Sequence, residues 1–236
     1  MRIAVVTPYH KEDISILEQC HHSIDAQSIP CTHVMVADGC PSTEVAKWAI
    51  EHVVLPRPHN DIGSTPRVVG SFHAIGLKFD GIAFLDADNW YRHDHVASLL
   101  ELHRRSGASF LTSSRFLCRL DGSIMGRCHM TDGVSFADTS CMLLMRSAFG
   151  LISNWCLMPD YTQIISDRVF LFQARAARIG MAHSDEPTVY YRCGKAGNYE
   201  HFGETPPAGV KPRPDYEAAF RRWIAEGNPP LTNQLR

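Results

Sequence analysis

The feature that most constrains the fold is an alternation of short apolar runs with helix-spaced segments over the first half of the chain. The apolar runs lie at residues 2–7, 33–37, 52–55 and 82–85, and each has the length and composition of a buried strand. A segment with apolar residues at helical spacing follows each run. This β-α-β-α-β-α-β-α order requires a parallel sheet with right-handed crossovers, so we predict an α/β fold.

Two carboxylates follow the run at residues 82–85, in the sequence Asp86-Ala87-Asp88-Asn89. In an open α/β sheet, ligands bind at the carboxyl ends of the strands. Oxygen ligands at that place suit a hard cation such as Mg²⁺ or Mn²⁺, which in turn holds phosphate oxygens. The other interpretation is an Asp-Asn turn that ends the strand and caps the helix beginning near His93. The pattern alone leaves both open.

Composition limits the classes of partner. The formal net charge is −2, with 23 basic and 25 acidic residues, so charge gives no reason to expect nucleic acid or an anionic membrane as a partner. No apolar run approaches the roughly 18 residues of a membrane span, and the N-terminus does not read as a signal peptide. The eight cysteines lack metal-ligand spacing. We expect a cytoplasmic protein with free thiols.

The second half of the chain departs from the parallel pattern. The turn Asp121-Gly122 separates two segments of strand character and predicts an antiparallel excursion. Residues 193–214 are rich in Gly and Pro, which is typical of a mobile lid or a weakly ordered tail. We expect fraying in the last ten residues. The remaining predictions are strands within 109–116, 118–129, 134–146 and 188–192, and helices at 43–50, 167–180 and 216–226.

Four motifs then stand in order along the chain: VVTPYH at residues 5–10, VMVADG at 34–39, FLDADN at 84–89 and ISD at 165–167. Together they resemble the GT-A-fold glycosyltransferases of the family 2 type, over nearly the whole chain. Ala37 replaces the first acid of the second motif, and Ser166 stands where Glu is frequent in the fourth. The resemblance implies a mixed, mainly parallel sheet flanked by helices.

By this resemblance the chain is one GT-A domain over residues 1–236. Residues 1–106 would be the nucleotide-sugar-binding half and residues 107–192 the acceptor-side half. Residues 193–236 would form a flexible loop and a C-terminal helix. We expect that loop to close over the donor and to carry acceptor contacts, with Lys195 or His201 near the phosphates of the donor.

The resemblance also implies roles for individual residues on the donor side. Thr7, Pro8 and Tyr9 would line the nucleotide base pocket. Asp38 would accept a hydrogen bond from the imide N–H of the base, as uracil offers, and Arg67 would contact the diphosphate. The Arg-Asn pairing that the family has in this helix is not reproduced around Arg67.

The family's remaining roles concern the donor sugar, the metal and the acceptor. Asp86, followed by Ala87, would lie near the ribose or donor sugar. Asp88 would bind Mn²⁺ or Mg²⁺, and Asp167 would be the catalytic base.

The resemblance implies metal-dependent transfer of a sugar from a nucleotide-diphosphate donor, which we expect to be a UDP-sugar. The sugar would go to a hydroxyl of an acceptor, which would be a glycan, a lipid-linked molecule or a small molecule. The transfer would invert the anomeric centre. It would be non-processive, because Arg221-Arg222-Trp223 lacks the Gln of the processive signature Q-x-x-R-W. The alternative is a catalytically inactive GT-A-like protein that binds sugar nucleotides or glycans.

Two other enzyme classes fit the residues less well. A haloacid-dehalogenase-type phosphatase also carries D-x-D at a strand end, but it wants Thr or Val where Trp90 stands. A sugar nucleotidyltransferase needs a Gly-rich, basic loop after the first strand, and Thr7-Pro8-Tyr9 is not one.

Overall fold

The structure is a computed structural model that describes residues 1–231. A mixed sheet of nine strands forms the centre of this part of the chain. The strands are β1 (Ile3–Tyr9), β2 (Cys31–Ala37), β3 (Glu51–Val54), β4 (Gly81–Phe84), β5 (Trp90–Tyr91), β6 (Phe110–Cys118), β7 (Ile124–Arg127), β8 (Met142–Met145) and β9 (Met181–Arg192).

Helices connect these strands and cover the sheet. They are α1 (Ile14–Asp25), α2 (Ser64–Gly76), α3 (His95–Ser106), α4 (Asn154–Leu157), α5 (Ser166–Ala176), α6 (Ala196–Glu200) and α7 (Tyr216–Ala225). Short 3₁₀ helices lie at Val45–Lys47, Thr139–Cys141, Arg146–Leu151 and Asp160–Ile165.

The strand order is β3-β2-β1-β4-β8-β6-β9-β5, with β7 beside β6. The first four strands in this order are mutually parallel. Strand β8 is antiparallel to both β4 and β6, so β6 and its parallel neighbour β9 point the same way as β4. Strands β5 and β7 are antiparallel to their neighbours. Six of the nine described strands therefore share one direction, and the predicted fold class is confirmed.

Alternate residues of the central strands pack on opposite faces of the sheet, as strand geometry requires. Ala4 and Val6 of β1 belong to a core cluster with α2 and α5, whereas Ile3 and Val5 belong to a cluster with α1 and α3. The two helical layers explain why these strands are apolar throughout.

A predicted helix beside the sheet is wrong in extent. Only Val45–Lys47 is helical in the region predicted as a helix over 43–50, because β3 already begins at Glu51 and pairs with β2. The strand predicted within 134–146 is β8, at the end of that range. Before it, the carboxylate of Asp132 accepts hydrogen bonds from three successive backbone N–H groups, which holds the chain in a loop.

The segment after Cys193 folds back onto the body of the protein. Lys211 donates its backbone N–H to Gly194 at 2.8 Å, and Ala196 donates to Lys211 at 2.9 Å. Helix α7, as predicted, begins at Tyr216. Through Ala219, Phe220 and Trp223 it packs on α5 and on the 3₁₀ helix Asp160–Ile165. The prediction of fraying is wrong for residues 227–231, because Leu231 is buried in the same cluster as Trp223, and for residues 232–236 it lies outside the described part of the chain. The division into one domain with two halves stays a prediction.

None of the described helices, over residues 1–231, has both the length and the apolar character needed to cross a membrane.

Helix α2 approaches the sheet closely at Gly70, where an added Cβ would lie 2.7 Å from methyl groups of Val6 and Val36. We therefore expect Gly70→Ala to lower the free energy of unfolding by about 1–3 kcal/mol, because the core is overpacked. Gly76 of the same helix has open space around its Cβ direction. Gly76→Ala should leave stability unchanged or raise it by up to about 1 kcal/mol. Urea unfolding of both variants measures the difference, and equal midpoints would contradict the close approach.

Candidate active site

The loop after β4 presents two carboxylates that differ in their surroundings. Asp86 forms an ion pair with Arg67, whose Nη2 lies 2.8 Å from Oδ1 of Asp86. Asp88 is exposed, and its carboxylate is bonded to no other residue among those that the structure describes. Ala87, between them, is buried. The predicted pair therefore contains one neutralised and one free carboxylate.

Three residues that the sequence reasoning missed hold this loop in place. The Ser140 hydroxyl accepts hydrogen bonds from the backbone N–H of Asp86 at 3.2 Å and from Nδ2 of Asn89 at 2.9 Å. Oδ1 of Asn89, in turn, accepts from the backbone N–H of Arg192 at 2.9 Å. Arg192 also donates from Nε to the carbonyl of Asp88 at 3.2 Å. Because Asn89 is only 1% exposed, these bonds act in a buried environment and fix the loop.

The loop carries negative charge at high electrostatic cost. Although Asp88 is accessible to solvent, the surrounding protein partly desolvates its carboxyl, and this desolvation, together with the charges of Asp86 and Asp138, raises the pKa of Asp88 to about 7. Burial also raises the pKa of the Asp86 carboxyl, while Arg67 opposes the shift and Asp138 adds to it. A divalent cation at Asp88 would relieve this repulsion.

The donor set tests whether a metal ion fits. Within residues 1–231, no group of three or more His, Cys, Asp or Glu side chains is arranged to hold a metal ion alone. Mg²⁺ commonly takes one or two carboxylates and completes its shell with water and substrate phosphates. The free Asp88 fits that second kind of site.

The strand end predicted to line the base pocket is largely buried. The Thr7 hydroxyl lies 3.0 Å from Nε2 of His33, and the Tyr9 hydroxyl lies 2.8 Å from Nε2 of His52. Thr7 is fully buried and Tyr9 is nearly so, whereas Pro8 is partly exposed. The side chains of Thr7 and Tyr9 thus hold the strand end, and only Pro8 keeps accessible surface; a base pocket at these residues stays a prediction.

Asp38 is placed at the end of β2, as predicted, and is buried. Its carboxylate accepts the backbone N–H of His59 at 3.0 Å, and Oδ1 lies 2.6 Å from Nδ1 of the same histidine. Gly39 follows with a φ of +74°, and an added Cβ would lie 2.3 Å from the backbone nitrogen of Pro58. Asp38 and Gly39 therefore hold the loop around residues 56–63 against the sheet. A bond from Asp38 to a base stays a prediction.

The start of α2 is set by Gly63. The helix begins at Ser64, because Gly63 takes a φ of +80° and turns the chain. The carboxylate of Asp61 accepts the N–H of Thr65 at 2.7 Å, so this helix end already has an internal anion.

Arg67 is only 4% exposed and has its guanidinium 5.3 Å from the ring centroid of Trp155. Its Nε is buried and has no hydrogen-bond partner among the described residues. The ion pair with Asp86 uses Nη2. Contact with a diphosphate would require Arg67 to share or leave this pair, and it stays a prediction.

Asp167 lies in the first turn of α5 and lines a cavity of about 790 Å³. Burial raises the pKa of Asp167 to about 6, with Arg168 opposing the shift and Asp138 adding to it. Oδ1 accepts the backbone N–H of Arg168 at 2.7 Å. The walls of the cavity come from β6, β9, α5, α7 and the segment after Cys193, and include Arg115, Asp138 and Tyr191.

Asp138 connects this cavity to the loop after β4. It is 8% exposed, forms an ion pair with Arg115 and accepts the backbone N–H of Ser140 at 3.0 Å. Its negative charge contributes to the raised pKa of both Asp88 and Asp167. The sequence reasoning missed Asp138 and Arg115, because neither stands in a recognisable motif.

Comparison with known proteins identifies the class. The family described as "Glycosyl transferase family 2" matches residues 4–155, more than half of the chain. The chain belongs to glycosyl transferase family 2. Asp167 lies beyond the matched residues. Among curated protein sequences, none matches the chain.

Solved structures agree in fold. S. aureus TarS 1-349 has a TM-score of 0.62 and 14% identity, over 85% of this chain and 63% of that one. TarS 1-349 in complex with UDP has a TM-score of 0.59 and 15% identity, over 81% and 60%. TarS 1-349 in complex with UDP-GlcNAc has a TM-score of 0.57 and 15% identity, over 81% and 58%. At such identities the likeness shows the fold alone, and the chain spans less than two thirds of these structures.

The position of Asp138 leads to a test that needs no substrate. Asp138→Asn removes a negative neighbour of Asp167 and leaves the positive charge of Arg115 unpaired. Both effects favour the ionised form, so we expect the pKa of Asp167 to fall below its value of about 6. Carboxyl ¹³C NMR titration of the two proteins measures it. Asp121→Asn, in the exposed β6–β7 turn, is the matched control. If the pKa of Asp167 is the same in Asp138→Asn, the charge of Asp138 does not act on the cavity.

Proposed function

We propose that the protein is a metal-dependent, inverting and non-processive glycosyltransferase that moves a sugar from a UDP-sugar to an acceptor hydroxyl. The observation that carries the proposal is that Asp88 and Asp167 interact with the same third carboxylate, Asp138. The free Asp88 follows a central strand, and Asp167 lies in the adjoining cavity, with Asp138 interacting with both. Family membership supports the general activity, and the UDP and UDP-GlcNAc complexes of TarS support the choice of donor.

A divalent ion, when bound, would act as a Lewis acid that stabilises the negative charge on the leaving diphosphate. Asp88 would hold it, because this carboxylate is accessible and has no protein partner among the described residues. Asp86 would stay beside it, with part of its charge neutralised by Arg67. The network of Ser140, Asn89 and Arg192 would keep both carboxylates in position.

Asp167 would remove the proton of the acceptor hydroxyl. With a pKa of about 6, its carboxyl is mostly ionised at neutral pH and is still a stronger base than an ordinary aspartate. A hydroxyl activated in this cavity would attack the anomeric carbon from the face opposite the diphosphate. That single displacement inverts the anomeric configuration.

A catalytically inactive protein that binds sugar nucleotides or glycans is the second candidate. The observation that favours it is that two residues expected on the donor have protein partners, since Asp38 is bonded to His59 and Arg67 to Asp86. Turnover of the sugar donor separates the two candidates, whereas binding does not.

Calorimetric titration with UDP, with GDP as control, tests the donor site. We expect UDP binding that requires Mn²⁺ and is lost in EDTA. Because Asp88 must be ionised to hold the metal and its pKa is about 7, Mn²⁺-dependent affinity should be constant above pH 7 and fall by up to tenfold per pH unit below it.

Asp88→Asn should remove both the metal dependence and this pH dependence. Asp185→Asn, an exposed carboxylate on β9, is the matched control and should bind as the unaltered protein does. Equal UDP binding with Mn²⁺ and with EDTA would argue against the metal assignment. No binding of either nucleotide would remove the donor site altogether.

Asp167→Asn should keep the donor affinity and lose roughly 10²- to 10⁴-fold in transfer, the contribution of a general base. Glu200→Gln changes another carboxylate of the same cavity and should retain activity to within a few-fold. Single-turnover transfer together with UDP-sugar binding measures the two effects separately. Normal turnover by Asp167→Asn would refute its role as the base.

A further inference from the structure

The cavity around Asp167 has a cationic outer wall that the proposed transfer chemistry does not use. Arg168 comes from α5, and Lys195 and Arg213 come from the segment between β9 and α7. For a chain with a net charge of −2, this is a local concentration of positive charge. The contacts of these three side chains, and the carboxylates around them, decide whether the protein itself neutralises this charge.

The contacts of the three cations orient them without neutralising them. The Arg168 guanidinium lies 4.7 Å from the ring centroid of Phe136 and donates to the carbonyl of Ser135. The ammonium of Lys195 lies 5.9 Å from the ring centroid of Tyr216. Aromatic faces attract cations but leave their hydrogen-bond donors available. Ring contacts of this kind place a positive charge for a ligand.

Arg213 packs its aliphatic stem near Gly197, where an added Cβ would meet side-chain atoms of Arg213 at 3.4 Å and 3.5 Å. Among residues 1–231, no ion pair within 4.0 Å joins Arg168, Lys195 or Arg213 to a carboxylate. An Arg can form bidentate, charge-assisted hydrogen bonds with a phosphate or carboxylate. The guanidinium of Arg213 is available for such a bond.

The carboxylates of the same cavity do not balance this wall. Asp138 is paired with Arg115, and Glu217 is paired with Arg221 at 3.4 Å. This leaves Asp167, needed for catalysis in the proposed function, and Glu200, which is exposed. The three unpaired cations therefore exceed the two remaining carboxylates.

We propose that the acceptor carries an anionic group, a phosphate or a carboxylate, which Lys195, Arg213 and Arg168 bind while its hydroxyl faces Asp167. The inference rests on the proposed function, since it names the class of acceptor for that site. The cavity of about 790 Å³ lies in the usual range for small-molecule sites and has room for a sugar with such a group. The wall selects for acceptor charge, whereas Asp167 acts on the hydroxyl.

The donor also carries phosphates, so the test must separate the two sources of negative charge. Calorimetry is carried out on the full chain already saturated with UDP and Mn²⁺, and the probes are glucose 6-phosphate, glucuronate and neutral glucose. We expect both anionic sugars to bind at least tenfold more tightly than glucose. The double variant Lys195→Gln/Arg213→Gln should lose this difference and keep its UDP affinity.

Lys211→Gln is the matched control, because Lys211 is exposed, pairs with Lys195 through the backbone and does not line the cavity. It should bind all probes as the unaltered protein does. Equal affinity for glucose and its charged derivatives would overturn the inference. So would a loss of UDP affinity in the double variant, because the cations would then belong to the donor site. Absent UDP binding in the unaltered protein is a failure of the proposed function, and it is read separately in the UDP titration.

Discussion

Mutual repulsion among desolvated carboxylates is the constraint on which the rest of the site depends. Desolvation raises the pKa of Asp86, Asp88 and Asp167, and the negative charge of Asp138 raises all three further. Two guanidinium groups neutralise part of this negative charge: Arg67 pairs with Asp86, and Arg115 pairs with Asp138. The remaining carboxylates, Asp88 and Asp167, are the two that face open space. Carboxylates whose pKa is raised by burial and by a neighbouring charge are typical of functional sites.

The sheet order explains how residues distant in sequence reach this point. Strands β4, β8, β6 and β9 are successive neighbours, so the loop after β4, the turn before β8 and the end of β9 lie side by side. The hydroxyl of Ser140 and the amide of Asn89 join these three segments. Antiparallel β8 is what brings Asp138 next to a loop that belongs to the parallel half of the sheet.

Sequence reasoning predicts what is encoded locally. The apolar runs, the acids after β2 and β4, and Asp167 at the start of a helix were all found from short stretches. Asp138 was not found in this way, because its partner Arg115 lies 23 residues earlier in the sequence. Its other neighbours come close only through the antiparallel strand β8. The anchor between Asn89 and Arg192 spans 103 residues and has no periodic signal. The burial of Thr7 likewise follows from tertiary packing around His33 rather than from its motif.

The end of strand β9 joins two parts of the site. Its last residue, Arg192, supports the loop that presents Asp88, and the chain then passes directly into the wall that contains Lys195. Arg192 bonds to that loop through both its backbone N–H and its guanidinium. Beyond it the chain is held by the buried side chain of Tyr199, by the ion pair of Glu204 with Arg119, and by α7. Under the proposed function, insertions and substitutions after Cys193 would change the acceptor wall without removing any of the hydrogen bonds that Ser140, Asn89 and Arg192 make to the loop after β4.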